Sequence, residues 1–319
     1  MSSEVTELSL RLQSPEVATR QVALTELLDV LDSSALEPLL VAAQDSDATV
    51  RELAIGLLEE LGDPRGLPAI VNALGDEAER VRQVAAAAIR DDRSPEAVEL
   101  LLANLSHARA EVRAASIAGL REHRSARAEA PLLQRLVDES AEVRAQAVVA
   151  LGHLRSEASI AALRARLRDE DAAVRRLAIG ALDYARTHEV RDALGALLTD
   201  PDWRVRADAA KQLAKHGSHN DGVSQQLVGL LHDVEWAVRK EAALALAEIG
   251  ARKRAPAVAA LLGDNVADVR RAATSALAKL EAVFAAPQIE ALLRDPDSEV
   301  TKAARRALVA LASCQRSAH

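Results

Sequence analysis

The chain has 319 residues, 49% of them apolar, a net charge of −8 at neutral pH and only four aromatic residues, Trp203, Trp236, Tyr184 and Phe284. The acidic balance argues against generic nucleic-acid binding, which wants a strongly basic face. A single cysteine, Cys314, rules out a disulfide framework or a thiolate metal site, and no stretch approaches roughly 18 uninterrupted apolar residues, as a membrane span requires.

The opening "MSSEVTELSLRL" has no basic region followed by an apolar run, so no signal peptide is expected and the cytoplasm is the expected location. From Thr19-Arg20 a repeat begins. Val-Arg recurs at Val50-Arg51, Val81-Arg82, Val112-Arg113, Val143-Arg144, Val174-Arg175 and Val205-Arg206, each 31 residues after the last. One step of 33 leads to Val238-Arg239, then Val269-Arg270 follows, and Val300-Thr301 closes the series. Ten copies anchored at 19, 50, 81, 112, 143, 174, 205, 238, 269 and 300 make one array over 1–319, with 313–319 as a frayed tail.

Each copy predicts the same elements in the same order. Five residues before the anchor stands an Asp (Asp45, Asp76, Asp138, Asp169, Asp200, Asp233, Asp264, Asp295), with Ser14 in the first copy and His107 in the fourth. An Asp or Ser there predicts a helix N-cap, and Pro15, Pro201 and Pro296 just after it predict proline at the first helical position. Small residues at plus four (Ala54, Ser116, Ala209) and Leu or Ile at plus eight (Leu58, Ile89, Leu151) put an apolar stripe on one helix face. The buried arc is expected to take the anchor and plus three, four, five, seven and eight; minus two, plus two, plus six and plus nine face outwards. A shorter helix such as "GLPAIVNAL" (66–74) precedes the next Asp, so each copy is a helical hairpin that cannot bury its apolar face alone.

The wording "D-x-D-x-x-VR-x-x-A-x-x-AL" followed by "LGDPRGLPAIVNAL" resembles the HEAT-like repeat family, in the variety first named for phycobilisome lyases, over about residues 4–312. The resemblance implies an all-α, right-handed α-solenoid superhelix of about ten hairpins, with the Val-Arg helix lining its concave side. It further implies that the repeated Asp and Arg bond between neighbouring repeats as a ladder. The arginines are Arg20, Arg51, Arg82, Arg113, Arg144, Arg175, Arg206, Arg239 and Arg270, and His107 interrupts the acidic rail. Thr301 in place of the last arginine, and Arg305 where earlier copies carry apolar residues, mark a C-terminal cap.

Read down the outward columns, the first half is neutral or acidic and the second half cationic. Plus two ends with Arg176, Ala207, Lys240, Arg271 and Lys302; Lys211 and Arg306 stand at plus six. Trp203 and Trp236 occupy minus two in adjacent repeats. Either the indoles cover the preceding turn, or Trp203 and Trp236 with Arg176, Lys211, Lys240 and Arg271 form an aromatic, basic site for an acidic partner segment. The 33-residue step falls in "KHGSHNDGVSQQ" (215–226) between the two Trp repeats; His216, His219 and Asp221 there lack a fourth ligand, and the Gly-rich wording reads as a turn.

Enzymatic readings find little support. Family members that are di-iron hydroxylases carry several His-Glu pairs, whereas only His188-Glu189 occurs here, in an expected turn. There is no nucleophile motif and no basic, aromatic base-flipping pocket. The expectation is a non-catalytic scaffold, adaptor or assembly factor that binds another protein, with no cofactor, no metal and no membrane or nucleic-acid partner. The alternative implied by the family is a subunit of a bilin lyase or tetrapyrrole chaperone, with Trp203, Trp236, Tyr184 and His153 lining the pocket.

Overall fold

The computed structural model describes residues 3–92, 94–216 and 221–317. The chain is an all-α solenoid: among those residues there are twenty α-helices and no strand, in two compact units, 1–159 and 160–319. The first unit runs α1 (Ser3–Arg11), α2 (Val17–Leu27), α3 (Leu36–Ala42), α4 (Ala48–Leu61), α5 (Leu67–Ala73), α6 (Glu79–Asp91), α7 (Pro95–Asn104), α8 (Ala110–His123), α9 (Glu129–Arg135) and α10 (Ala141–Leu154). The second runs α11 (Ile160–Arg166), α12 (Ala172–Ala181), α13 (His188–Ala196), α14 (Trp203–Lys215), α15 (Asp221–Leu230), α16 (Trp236–Glu248), α17 (Ala255–Ala259), α18 (Ala267–Lys279), α19 (Ala286–Ala291) and α20 (Ser298–Ser317). None of the described helices is long and apolar enough to cross a membrane. Helix α20 continues through most of the segment expected to be a frayed tail.

Within each unit the even-numbered helices, which carry Val-Arg, pack on one another in sequence, and each also packs on the odd-numbered helix that precedes it. The stripe read from the sequence is the seam of that stack. All ten residues at plus four, Ser116 among them, are fully buried, and the nine anchor valines are at most 3% exposed. Small side chains at plus four let the helix backbones approach, while Leu or Ile at plus eight fills the layer. Plus three belongs to the buried arc only at Ala272: Val22 and Leu177 are exposed there, and Asp208 and Glu241 are half-buried. The arc is narrower because the small plus-four contacts draw the neighbouring helix to one side.

The acidic column at minus five is not the N-cap. In α4 the cap is Asp47, whose Oδ1 accepts the Thr49 and Val50 N–H groups at 3.0 and 3.1 Å; Asp171 and Asp297 cap α12 and α20 in the same way. Pro15, Pro201 and Pro296 accordingly sit one residue before their caps, Glu16, Asp202 and Asp297, and not at the first helical position. The minus-five Asp does two other things. Asp76 Oδ1 accepts the Ala78 N–H at 2.8 Å, closing the turn before α6. Both its oxygens also take the guanidinium of Arg51, Nε at 2.8 Å and Nη2 at 2.8 Å, while Arg51 Nη1 donates to the Asp45 and Ser46 carbonyls.

The same fork joins Arg20 to Asp45 and Arg113 to Asp138 in the first unit. In the second it joins Arg175 to Asp200, Arg206 to Asp233, Arg239 to Asp264 and Arg270 to Asp295. Burial pushes the Asp76, Asp138, Asp233 and Asp264 carboxyls up, but the guanidinium and turn N–H bonds outweigh it and hold them below the usual carboxylate range. The two residues inserted before α16 leave the Arg206–Asp233 fork intact at 2.7 and 2.8 Å. At the array's end Thr301 Oγ1 donates to the Asp295 carbonyl at 3.3 Å in place of an arginine, and Arg305 is exposed.

Candidate functional site

Trp203 and Trp236 are each the first residue of their helices, α14 and α16, because the caps fall at Asp202 and Glu235. A side chain at that position leans back over the entering turn. Trp203 is half-buried, with the Arg204 guanidinium 4.6 Å from its ring centroid. Trp236 is 39% exposed, with Lys240 Nζ 5.4 Å from its ring. Arg204 is a cation that column reading did not single out; it follows Trp203 directly in the sequence.

The four basic residues are less free than their columns suggest. Arg176 Nε donates to Asp208 Oδ2 at 2.7 Å, Lys240 lies 3.4 Å from Glu241, and Arg271 Nη2 donates to Asp268 at 2.5 Å. Lys211 is exposed and has no ion pair among the described residues. Two of the three acids, Asp208 and Glu241, come from plus three, the column expected to be buried. The surround of the indoles is therefore a checkerboard of paired charges and not a basic patch.

Lys240 and Arg271 meet in a groove of about 580 Å³ along α16, α18 and α20, together with Leu244, Lys302 and Arg306. Neither indole, nor Arg176, nor Lys211, is in its lining. Lys240 is the one residue that belongs to both the groove and the Trp236 stack. Lys302 pairs with Glu299 at 2.7 Å, whereas Arg306 has no ion pair among the described residues. Both stand in the cationic columns read from the sequence, in the tenth repeat, one repeat beyond Arg271.

The other residues considered for chemistry are scattered. His216 is buried, 3.4 Å from Gln212 Nε2, and burial pushes its imidazole down to about 4. His219 lies outside the described residues. His188 and Glu189 are not in a turn but open α13, exposed and 3.4 Å apart. His153 belongs to the first unit, its Nδ1 2.8 Å from the Val149 carbonyl of its own helix; Tyr184 is half-buried in the second.

A family model described as HEAT repeats matches residues 5–90, 98–179, 160–234 and 223–309. No curated protein sequence matches the chain. Among solved structures, an engineered protein is 23% identical over 97% of this chain and 99% of its own, with a TM-score of 0.51. The Escherichia coli protein YibA is 20% identical over 84% of this chain and 99% of its own, with a TM-score of 0.56. Kap95, solved with Nup1, is 14% identical over 97% of this chain and 49% of its own, at 0.62, so the chain spans about half the length of that relative. At these identities the likeness is one of fold.

Proposed function

Because the chain belongs to the HEAT-repeat family, we propose that it is a non-catalytic protein-binding scaffold, an adaptor or assembly factor. It holds an acidic segment or helix of its partner on the exposed face of repeats six to nine, with Arg306 of the tenth repeat at its edge. The observation that carries this reading is Lys240, whose Nζ stands 5.4 Å over the exposed Trp236 ring and which also lines the groove of Arg271 and Leu244. An amphipathic segment laid there would bury the indole and Leu244, and its carboxylates would reach Lys240, Arg271 and Arg306. Kap95, of the same fold, is found in complex with Nup1.

Large aromatic rings beside cations dominate many protein interfaces, a truncated hot-spot residue costing about 2 kcal/mol or more. The Trp236→Ala variant and the Trp203→Ala/Trp236→Ala double variant are expected to keep the far-ultraviolet circular dichroism of the parent. In quantitative pull-downs from native extract they should lose partner affinity by that amount, about 30-fold. Equal recovery of the same partner by parent and double variant would remove this face from consideration.

A further inference from the structure

The first unit contains a cleft of about 710 Å³ between α6 and α8, extending to α10, and it is lined by Arg82, the ladder arginine whose acidic counterpart is replaced by His107. We propose that this cleft is a second binding site, which takes an Asp or Glu side chain of a partner's acidic segment into the guanidinium fork of Arg82. The site shares no residue with the groove of α16, α18 and α20 and does not depend on that reading.

In three rungs of this unit Nη1 is anchored on two backbone carbonyls, and Nε and Nη2 grip the two oxygens of one carboxylate. Arg82 keeps the first half of this arrangement: Nη1 donates to the Asp76 and Glu77 carbonyls at 2.7 and 2.9 Å. Its Nε and Nη2 have no partner among the described residues. His107 cannot supply the missing carboxylate. Its Nδ1 instead accepts the Arg109 N–H at 3.1 Å, so it reproduces the turn made elsewhere by Asp but not the rung. The result is an oriented, half-buried donor pair with the spacing of a carboxylate.

The packing opens at the same place. At plus five the other copies bury an apolar or small residue against the next repeat, up to the terminal Arg305; here Ala86 is exposed and lines the cleft. Acidic residues line it too, but Glu111 is 3.6 Å from Arg109, Glu122 pairs with Arg121 and Asp76 with Arg51. Glu77 lies 3.4 Å from Arg51 Nη2, which leaves Glu79 and Glu142 to repel a doubly charged phosphate more strongly than one planar carboxylate, the shape that matches the fork. The volume suits several peptide residues, with Ala86, Ala115 and Ala118 for their apolar side chains.

The test uses the full chain and a fluorescein-labelled peptide of alternating Glu and Ala, with its Gln–Ala counterpart as control. Anisotropy titrations are run on the parent and on a Lys240→Ala/Arg271→Ala background, so that loss of the other groove is read separately. The background is expected to bind the Glu peptide at least tenfold more tightly than the Gln peptide. His107→Asp, which offers Arg82 an internal carboxylate, is expected to weaken the Glu peptide at least tenfold while raising the melting temperature; Arg82→Gln should weaken it equally without that rise. No selective binding in the background, or undiminished binding by both His107→Asp and Arg82→Gln, overturns the proposal.

Discussion

Arg51 and Arg82 occupy the same position in consecutive repeats and make the same pair of backbone bonds, yet only Arg51 grips a carboxylate. Comparing Arg51→Ala with Arg82→Ala therefore isolates the rung. Arg51 is 7% exposed and its two bonds to Asp76 are 2.8 Å each. Removing one partner of a buried pair costs about 3–5 kcal/mol, because the other charge stays buried. Asp76 keeps its Ala78 N–H bond and some solvent, which places Arg51→Ala near the lower end, about 3 kcal/mol. Arg82→Ala strands no buried carboxylate and removes one anchored guanidinium nitrogen, at about 1 kcal/mol. Urea titrations followed by circular dichroism, with hydrogen exchange to locate the loosened repeat, should show a difference of about 2 kcal/mol. Equal losses for the two variants would refute the account of the ladder as the main polar tie between repeats.

Other substitutions probe the layers between the rungs. A Cβ added at Gly75 would come within 2.2 Å of Val112 Cγ2, a stiff side chain, so Gly75→Ala should destabilise by about 1–3 kcal/mol, with Val112→Ala restoring part of it in the double variant. Ser116 Oγ is buried with no hydrogen-bond partner among the described residues, in a column that is otherwise alanine; Ser116→Ala should raise stability by about 1 kcal/mol in the same titration. His216 is held neutral by burial, with its pKa near 4 against 6.5 for a free imidazole. On acidification the unfolded chain takes up that proton first, so the stability is intact above a pH of about 6.5 and falls by about 2 kcal/mol by a pH of about 5. A His216→Leu variant should lose this slope, whereas the ladder carboxylates, with depressed pKa values, lose their contribution only at lower pH.

Much of the fold is legible in the sequence because a residue repeated at one interval occupies one place in a stack. The anchor, plus-four and plus-eight columns identify the seam, and Asp with Arg identifies the rungs. The helix caps lie two residues after the positions expected from the sequence, for a physical reason. An Asp at minus five and an Asp at minus three both accept N–H groups at a helix entry, and only the fork from the preceding repeat separates their roles, as Asp45 and Asp47 show. The candidate site was less legible. Columns read one at a time show Arg176, Lys240 and Arg271 as a basic line; the acids that neutralise them sit in a neighbouring column or on the next helix, as Asp208 does.

That neutralisation changes what the face can do. Of the six cations at plus two and plus six in the second unit, Arg176, Lys240, Arg271 and Lys302 already have carboxylates, and only Lys211 and Arg306 have none among the described residues. An acidic segment docking there exchanges one surface ion pair for another at most positions, and exposed pairs are worth little. Its net attraction must therefore come from burying Trp236 and Leu244, and from the two unpaired cations. The paired charges act on register: a segment shifted along the groove would set carboxylate against Glu241 or Asp268, which penalises wrong alignments and wrong partners more than it strengthens the right one. On this argument the indole supplies affinity and the checkerboard supplies specificity, while the ladder behind them fixes the spacing on which both depend.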